Sequence, residues 1–159
     1  MHVLPEGHKP ILVRWSSSNG ALYSTVPFRQ GTRVMHELWM GYEDLALGID
    51  LEKNGWKQYA CQSAVLPHSV EYLEAKFFYR TFHIPDKPIW YSYYNVRNLI
   101  LIRKKYRPSD LSAYQIVKKL LQSGLRIILL ENNKIKRLRY LLAGTVAGLR
   151  SEIGKGPVP

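Results

Sequence analysis

The chain has 159 residues, of which 46% are hydrophobic, and a formal net charge of +11. That apolar content excludes a disordered chain, and the single cysteine, Cys61, excludes an internal disulfide or a cysteine metal cluster and favours a reducing compartment. The charge is uneven, because residues 1–79 carry seven Lys/Arg against eight Asp/Glu whereas residues 80–159 carry sixteen against four, which predicts an anionic partner for the second half alone.

The first half of the chain predicts few strands. Ile11–Trp15 is typical of a buried strand, Ala21–Val26 fits a second strand or a short helix, and Trp56–Val65 fits a further strand. Two or three strands are too few for a sheet that helices cover, so we expect part of a sheet to be missing.

A helix that ends at Asn54-Gly55 is predicted between these strands. Its apolar residues recur at i, i+4 spacing, in the pairs Leu45/Ile49 and Leu47/Leu51. Gly55 stands where a helix takes a left-handed glycine just past its end. Glu43 and Asp44 then fall in the first helical turn, where the helix dipole favours negative charge. An ionised carboxylate there suits a general base or an anchor for a hydroxyl, but ordinary capping explains the same pattern and is favoured on spacing alone.

The second half predicts four helical stretches, which are Ser69–Tyr79, Ile89–Tyr106, Pro108–Gly124 and Leu125 to about Ile153, the last interrupted near Asn132-Asn133. In the last stretch, basic and apolar residues segregate at helical spacing. This pattern predicts a helix in a membrane interface, and a core-facing helix with a solvated basic face explains it equally well. We expect neither a signal peptide nor a segment of ~20 apolar residues that could span a membrane.

Several short motifs occur in a characteristic order, which is Asn19–Leu22, Glu37–Asp44, Asn54–Trp56 and Val65–His68. Together they resemble the second half of an inverting family 2 glycosyltransferase with the GT-A fold. Tyr93–Leu101 is similar to the aromatic-Arg-Asn helix of bacterial rhamnosyltransferase-like members. Gly144–Arg150 followed by Gly154-Lys155 is similar to the way many of those chains end. The resemblance covers nearly all of residues 11–156.

The resemblance implies a site. Asp44 would deprotonate the acceptor hydroxyl as it attacks the anomeric carbon of the sugar, and Glu43 would orient the acceptor. The residues expected to contact the acceptor are Asn19, Gly20, Trp39 and Gly41. His68 would contact the metal-diphosphate of the donor, with Mg or Mn as the cofactor of the complete enzyme. Simpler interpretations are a tight turn for Asn19-Gly20 and a loop histidine without a ligand for His68.

The chain also departs from the family pattern. In many relatives an acid follows two residues after the catalytic Asp and an Arg follows four further on, whereas this chain has Ala46 and Asp50 at those places. The nucleotide-binding half, with its Asp-x-Asp metal motif, has no counterpart in this sequence. We therefore expect residues 1–68 to form the acceptor-side part of an incomplete α/β GT-A domain, and residues 69–159 to form a helical, basic and aromatic C-terminal region.

The expected function is sugar transfer with inversion from a nucleotide-sugar donor to a lipid-linked or polysaccharide acceptor, with no activity by the chain alone. The basic region would hold the protein on the anionic cytoplasmic face of the cell membrane, and a missing N-terminal half or a second copy of the chain would be its partner. The alternative is a non-enzymatic, peripheral membrane-binding or scaffold remnant. Nucleic acid is not an expected partner, because the sequence holds no recognised nucleic-acid motif.

Overall fold

The computed structural model describes residues 10–61, 64, 66–67, 72–107 and 112–156. The chain divides into two compact units, of which the first comprises Met1–Met35 and Glu43–His68 and the second His36–Tyr42 and Ser69–Pro159. Over the described residues the class is mixed α/β, with five α-helices, one short 3₁₀ helix and two antiparallel two-stranded sheets. The mixed class and the small number of strands expected from the sequence are confirmed.

Residues 10–35 and 43–61 of the first unit form a two-stranded sheet and two helices. Its elements in chain order are β1 (Ile11–Val13), α1 (Val26–Arg29), α2 (Glu43–Lys53) and β2 (Gln58–Ala60). β1 and β2 pair antiparallel, with Ile11 opposite Ala60. Side chains join the sheet to α2, because Arg14 Nε donates to Glu52 Oε2 at 2.7 Å and Gln58 Nε2 donates to the Gly48 carbonyl at 3.3 Å.

The predicted helix is confirmed as α2, and its end is a Schellman motif. The Trp56 amide donates to the Leu51 carbonyl at 2.9 Å and the Gly55 amide donates to the Glu52 carbonyl at 3.0 Å. Gly55 has a φ of +79°, a left-handed conformation that a residue without a Cβ adopts without strain.

The strands of the first unit differ from the prediction. The expected buried strand at Ile11–Trp15 is the shorter β1, and Leu12 within it is 61% exposed. Ala21–Val26 is largely irregular, since helix α1 begins only at Val26. An apolar run predicts a buried strand only where another layer covers it, and the described residues of this unit leave most of β1 uncovered.

The second unit begins with the 3₁₀ helix His36–Leu38 and continues as a β-hairpin, made of β3 (Tyr72–Phe77) and β4 (Arg80–Pro85). The strands pair antiparallel, with Leu73 opposite Ile84. The predicted helix at Ser69–Tyr79 is therefore wrong over β3. Leu, Glu, Ala and Lys in β3 favour a helix locally, but pairing with β4 and burial of Ile84 decide the conformation.

The remainder of the second unit consists of the helices α3 (Tyr91–Tyr106), α4 (Ala113–Leu130) and α5 (Lys134–Leu149). The helix predicted at Ile89–Tyr106 and the break near Asn132-Asn133 are confirmed. Helix α4 begins with a capping box, in which the Gln115 amide donates to Ser112 Oγ and the Ser112 amide donates to Gln115 Oε1. It continues through Gly124, where the sequence had predicted its end, because one interior glycine costs a packed helix only about 1 kcal/mol.

The three helices share one apolar core, formed by Val96, Ile100, Ile116, Ile127 and Leu141. Helices α3 and α5 approach closely at two glycines. A Cβ added to Gly144 would overlap the carbonyl of Tyr93, and one added to Gly148 would crowd Ile100. Gly144 lies against Tyr93 and Gly148 lies against Ile100, so the contact moves toward the C-terminus of both helices together. The two helices therefore run in the same direction. In the part of the chain that the structure describes, no helix is both long and apolar enough to cross a bilayer.

Candidate functional site

The acidic pair stands where the sequence predicted, in the first turn of α2. Glu43 is exposed and Asp44 is half-buried. Asp44 Oδ1 accepts a hydrogen bond from the Leu45 amide at 2.7 Å. A half-buried carboxylate on a helix start is held in place and still meets solvent, which is what a base for a hydroxyl proton requires.

The residues just before this pair have an unusual backbone. Trp39, Gly41 and Tyr42 have φ values of +62°, +80° and +68°. Two of these three residues carry a Cβ, and a left-handed conformation costs such residues roughly 1–2 kcal/mol each. A run of this kind persists only where surrounding contacts hold it, and it belongs to the second unit.

Two side chains of α3 supply those contacts. The Asn98 amide nitrogen faces the carbonyls of Leu38, Met40 and Gly41 at 3.1, 2.6 and 2.8 Å. Arg97 Nη2 donates to the same Leu38 carbonyl at 2.7 Å. Both side chains are fully buried. The two side-chain bonds to the Leu38 carbonyl are therefore buried, where water does not compete for that carbonyl, and those to Met40 and Gly41 are part-buried.

Arg97 also binds the segment that follows α5. Its Nη1 donates to the Gly154 carbonyl at 2.7 Å, its Nε donates to Asn98 Oδ1 at 3.0 Å, and its guanidinium carbon lies 4.8 Å from the ring centroid of Tyr94. The Gly154 amide in turn donates to the Glu37 carbonyl at 2.7 Å. We call the side chains of Arg97 and Asn98, with the carbonyls they bind, the α3 lock.

Arg97 and Asn98 belong to a motif found in the sequence, but the sequence predicted no structural or functional role for them. The signal that marks them is an arginine and an amide in the middle of an apolar helix, between Val96 and Leu99. A charged side chain at such a position is buried and must find partners. Which carbonyls serve as partners is a property of the fold alone.

The predicted acceptor residues fall in two places. Asn19 and Gly20 form the expected turn in the first unit, with a φ of +78° at Gly20, and line a cavity of about 540 Å³. Among the described residues that line this cavity, α2 contributes only Leu51, which is roughly 10 Å along the helix axis from Asp44. The turn and the acidic pair therefore do not share that cavity.

Trp39 and Gly41 belong to the second unit. Trp39 is 55% exposed, and Lys155 Nζ lies 5.8 Å from its ring centroid. Tyr42, the next aromatic residue, donates from its hydroxyl to Asn95 Oδ1 at 2.6 Å. The exposed indole therefore offers a flat apolar surface beside a glycine-containing turn.

The predicted metal ligand, His68, lies outside the described residues. Within the described ranges, no three His, Cys, Asp or Glu side chains come together in a group that could hold a metal ion. The Mg or Mn expected in the complete enzyme therefore stays a prediction.

An apolar groove with a basic rim lies between α3, α4 and α5, with a volume of about 840 Å³. Its apolar walls are Ile100, Ile116, Val117, Leu120 and Leu149, and its rim carries Arg103, Lys104 and Arg107. Exposed apolar side chains continue from it along one side of α4 (Tyr114, Val117, Leu121, Leu125 and Ile128) and of α5 (Ile135, Leu142, Val146 and Leu149). We call these residues the apolar face.

Comparison with protein-family models, with curated proteins and with solved structures gives no match for this chain.

Proposed function

We propose that this chain is the acceptor-side, C-terminal part of an inverting family 2 glycosyltransferase with the GT-A fold. The observation that carries the proposal is the acidic pair Glu43-Asp44 in the first turn of α2, where Asp44 is half-buried and accepts a hydrogen bond from the Leu45 amide at 2.7 Å. A carboxylate placed in this way suits a base for a hydroxyl proton.

In this proposal Asp44 is the general base. It takes the proton of the acceptor hydroxyl while the hydroxyl oxygen forms a bond to the anomeric carbon of the donor sugar. The bond from that carbon to the diphosphate breaks on the opposite side, which inverts the configuration and releases a nucleoside diphosphate. Glu43 orients the acceptor through its other hydroxyls, and Trp39 packs against its ring. A positioned base of this kind contributes typically 10²–10⁴-fold to the rate.

The donor side would come from residues that this sequence does not contain, since it has no Asp-x-Asp motif. DNA sequencing upstream of the Met1 codon tests this part of the proposal. We expect an in-frame segment with an Asp-x-Asp motif, or a neighbouring gene that encodes one.

The activity itself is tested on the complete transferase that contains this chain. Nucleotide-sugar consumption, nucleoside diphosphate release and the anomeric configuration of the product, read by NMR, should report transfer with inversion to a lipid-linked or polysaccharide acceptor. Transfer with retention, or no turnover with any nucleotide-sugar, would overturn the proposal.

A second candidate function is peripheral attachment to an anionic membrane on the cytoplasmic side, with or without catalysis. The apolar face supports it, because Leu121 and Leu142 are 70% and 66% exposed on helices that also carry many lysines and arginines. Apolar side chains beside cations are suited to the boundary between acyl chains and anionic headgroups.

Vesicle co-sedimentation separates this function from catalysis when a nucleotide-sugar binding assay is run on the same sample. The double variant Leu121→Ser/Leu142→Ser should lower the partition onto anionic vesicles by about tenfold or more, since two exposed leucines no longer enter the bilayer. Leu22→Ser is the matched control, because Leu22 is fully exposed and lies in the first unit. Equal loss in both variants, or no partition by the unaltered protein, would refute membrane attachment.

A further inference from the structure

A second, smaller cavity in the second unit is strongly cationic. It has a volume of about 250 Å³ and is bordered by the end of β4 and by helices α3, α4 and α5. The residues that matter for its chemistry are Lys87, Lys119, Ser123, Arg126, Glu131 and Arg137. We call this cavity the basic cleft. It is separate from the apolar groove, because α4 turns Lys119 and Arg126 toward the cleft and Val117 toward the groove.

The floor of the basic cleft is a buried ion network. Arg137 and Glu131 are each only 9% exposed. Glu131 Oε2 lies 3.1 Å from Arg137 Nε, and Glu131 Oε1 lies 2.7 Å from Arg126 Nε. Arg137 also donates from Nη2 to the Lys87 carbonyl at 2.9 Å. Arg137 therefore links α5 to the residues that follow β4. The Glu131 carboxylate pairs with two guanidinium groups, those of Arg126 and Arg137.

The remaining cations of the cleft are not neutralised. Lys119 Nζ lies 5.6 Å from the ring centroid of Tyr42, and Lys87 Nζ lies 5.6 Å from that of Tyr91. Neither ammonium group has a carboxylate partner among the residues the structure describes. Four cationic side chains and one carboxylate thus share a small concave space, which focuses a positive potential inside it.

The size of the cleft limits what it can hold. At about 250 Å³ it lies below the usual range of roughly 300–1,000 Å³ for sites of drug-sized ligands. Arginine and lysine nitrogens around a space of this size are the usual ligands of phosphate oxygens, with bonds that are shorter and stronger than neutral ones. The Ser123 hydroxyl on the same wall adds a neutral donor.

We propose that the basic cleft binds a phosphate or diphosphate group, with Lys119 and Arg126 as its main contacts and Lys87 at the entrance. The group can belong to a free anion or to the headgroup of a lipid, since both present the same oxygens. The proposal does not depend on sugar transfer, because neither Glu43 nor Asp44 is among the residues of the cleft.

Isothermal titration calorimetry with inorganic diphosphate tests the free anion, with sulfate as a comparison anion. Lys119→Gln should weaken diphosphate binding by about tenfold or more, the loss expected for one charge-assisted contact. Lys118→Gln is the matched control, because it makes the same charge change one residue away, outside the lining of the cleft. It should leave the affinity within about threefold, as screening of an exposed charge allows.

Vesicle binding tests the lipid source. Phosphatidylcholine vesicles with and without a lipid that carries a terminal phosphate are compared for the unaltered protein and the two lysine variants. If vesicle binding depends on the lipid phosphate, and Lys119→Gln weakens it whereas Lys118→Gln does not, the cleft binds a lipid headgroup. If the same pattern is seen only for inorganic diphosphate in calorimetry, the cleft binds a free anion. Absence of binding in both assays, or equal weakening by both variants, would overturn the proposal.

Discussion

The two units of this protein differ in how far they bury large polar side chains. The second unit buries a guanidinium and an amide completely and gives both several hydrogen bonds. Among the described residues of the first unit, no guanidinium or amide side chain is buried in this way. Both units expose large apolar side chains, such as Leu12 and Leu22 in the first and Leu121 and Leu142 in the second. The well-packed element of the first unit is α2, in which Ala46, Leu47, Gly48, Ile49 and Leu51 are buried.

This difference assigns separate roles to the units. A buried arginine that binds backbone carbonyls requires those carbonyls to be fixed, so the second unit is the rigid support for segment Trp39–Tyr42. The first unit holds the proposed base, Asp44.

The largest expected effect is on the α3 lock. Arg97→Met would leave the Gly154 carbonyl without its side-chain donor and remove one of the two side-chain donors of the Leu38 carbonyl. Because this breaks a buried hydrogen-bond network, it should lower the free energy of unfolding by about 3–5 kcal/mol. Arg139→Met, an exposed change on α5, should alter it by less than about 0.5 kcal/mol. Denaturant unfolding measures both, and hydrogen exchange should locate the loss in the second unit. A stable Arg97→Met protein would show that the lock is not the support we describe.

A smaller effect is expected from the helix contact of the second unit. Gly144→Ala places a methyl group against the Tyr93 carbonyl and should destabilise the protein by about 1–3 kcal/mol, since α3 and α5 must separate. Gly124→Ala is the matched helical change, with its nearest neighbour at an ordinary 4.0 Å from Leu141, and should stabilise α4 by up to about 1 kcal/mol. The Tm of Gly144→Ala should therefore fall and that of Gly124→Ala should rise, as measured by thermal unfolding. Shifts of the same sign and size would contradict the close approach.

The smallest expected effect on the free energy of unfolding comes from a change in the first unit. Gly55→Ala forces a Cβ into a left-handed conformation at the end of α2 and should cost about 1 kcal/mol. Gly55→Asn should cost less, because asparagine tolerates this conformation. If the two variants unfold alike, the glycine is not needed for its backbone conformation.

The sequence predicted the elements whose determinants are local. The i, i+4 pairs of α2 and Gly55 lie within one short stretch, and the helix and the end that they predicted are both confirmed. The break at Asn132-Asn133 was also correct, for the same reason. The position of Glu43 and Asp44 in a first helical turn is confirmed, whereas their chemical role stays a prediction.

What the sequence could not predict depends on distant parts of the chain. β3 contains helix-forming residues and becomes a strand because β4 pairs with it. The exposure of β1 depends on which layer is present to cover it. The partners of Arg97 are carbonyls 59 and 57 positions away, which no local pattern specifies. The role expected of His68 falls outside the described residues and stays a prediction.

The central claim is that Asp44 takes a proton from the acceptor, and turnover by the complete transferase tests it most directly. Asp44→Asn should lower kcat by about 10²–10⁴-fold, the usual contribution of a general base, and leave the Kd of the nucleotide-sugar unchanged. Asp50→Asn, the same change later on α2, should retain turnover close to that of the unaltered enzyme. Near-normal turnover by Asp44→Asn, or an equal loss in both variants, would contradict the assignment.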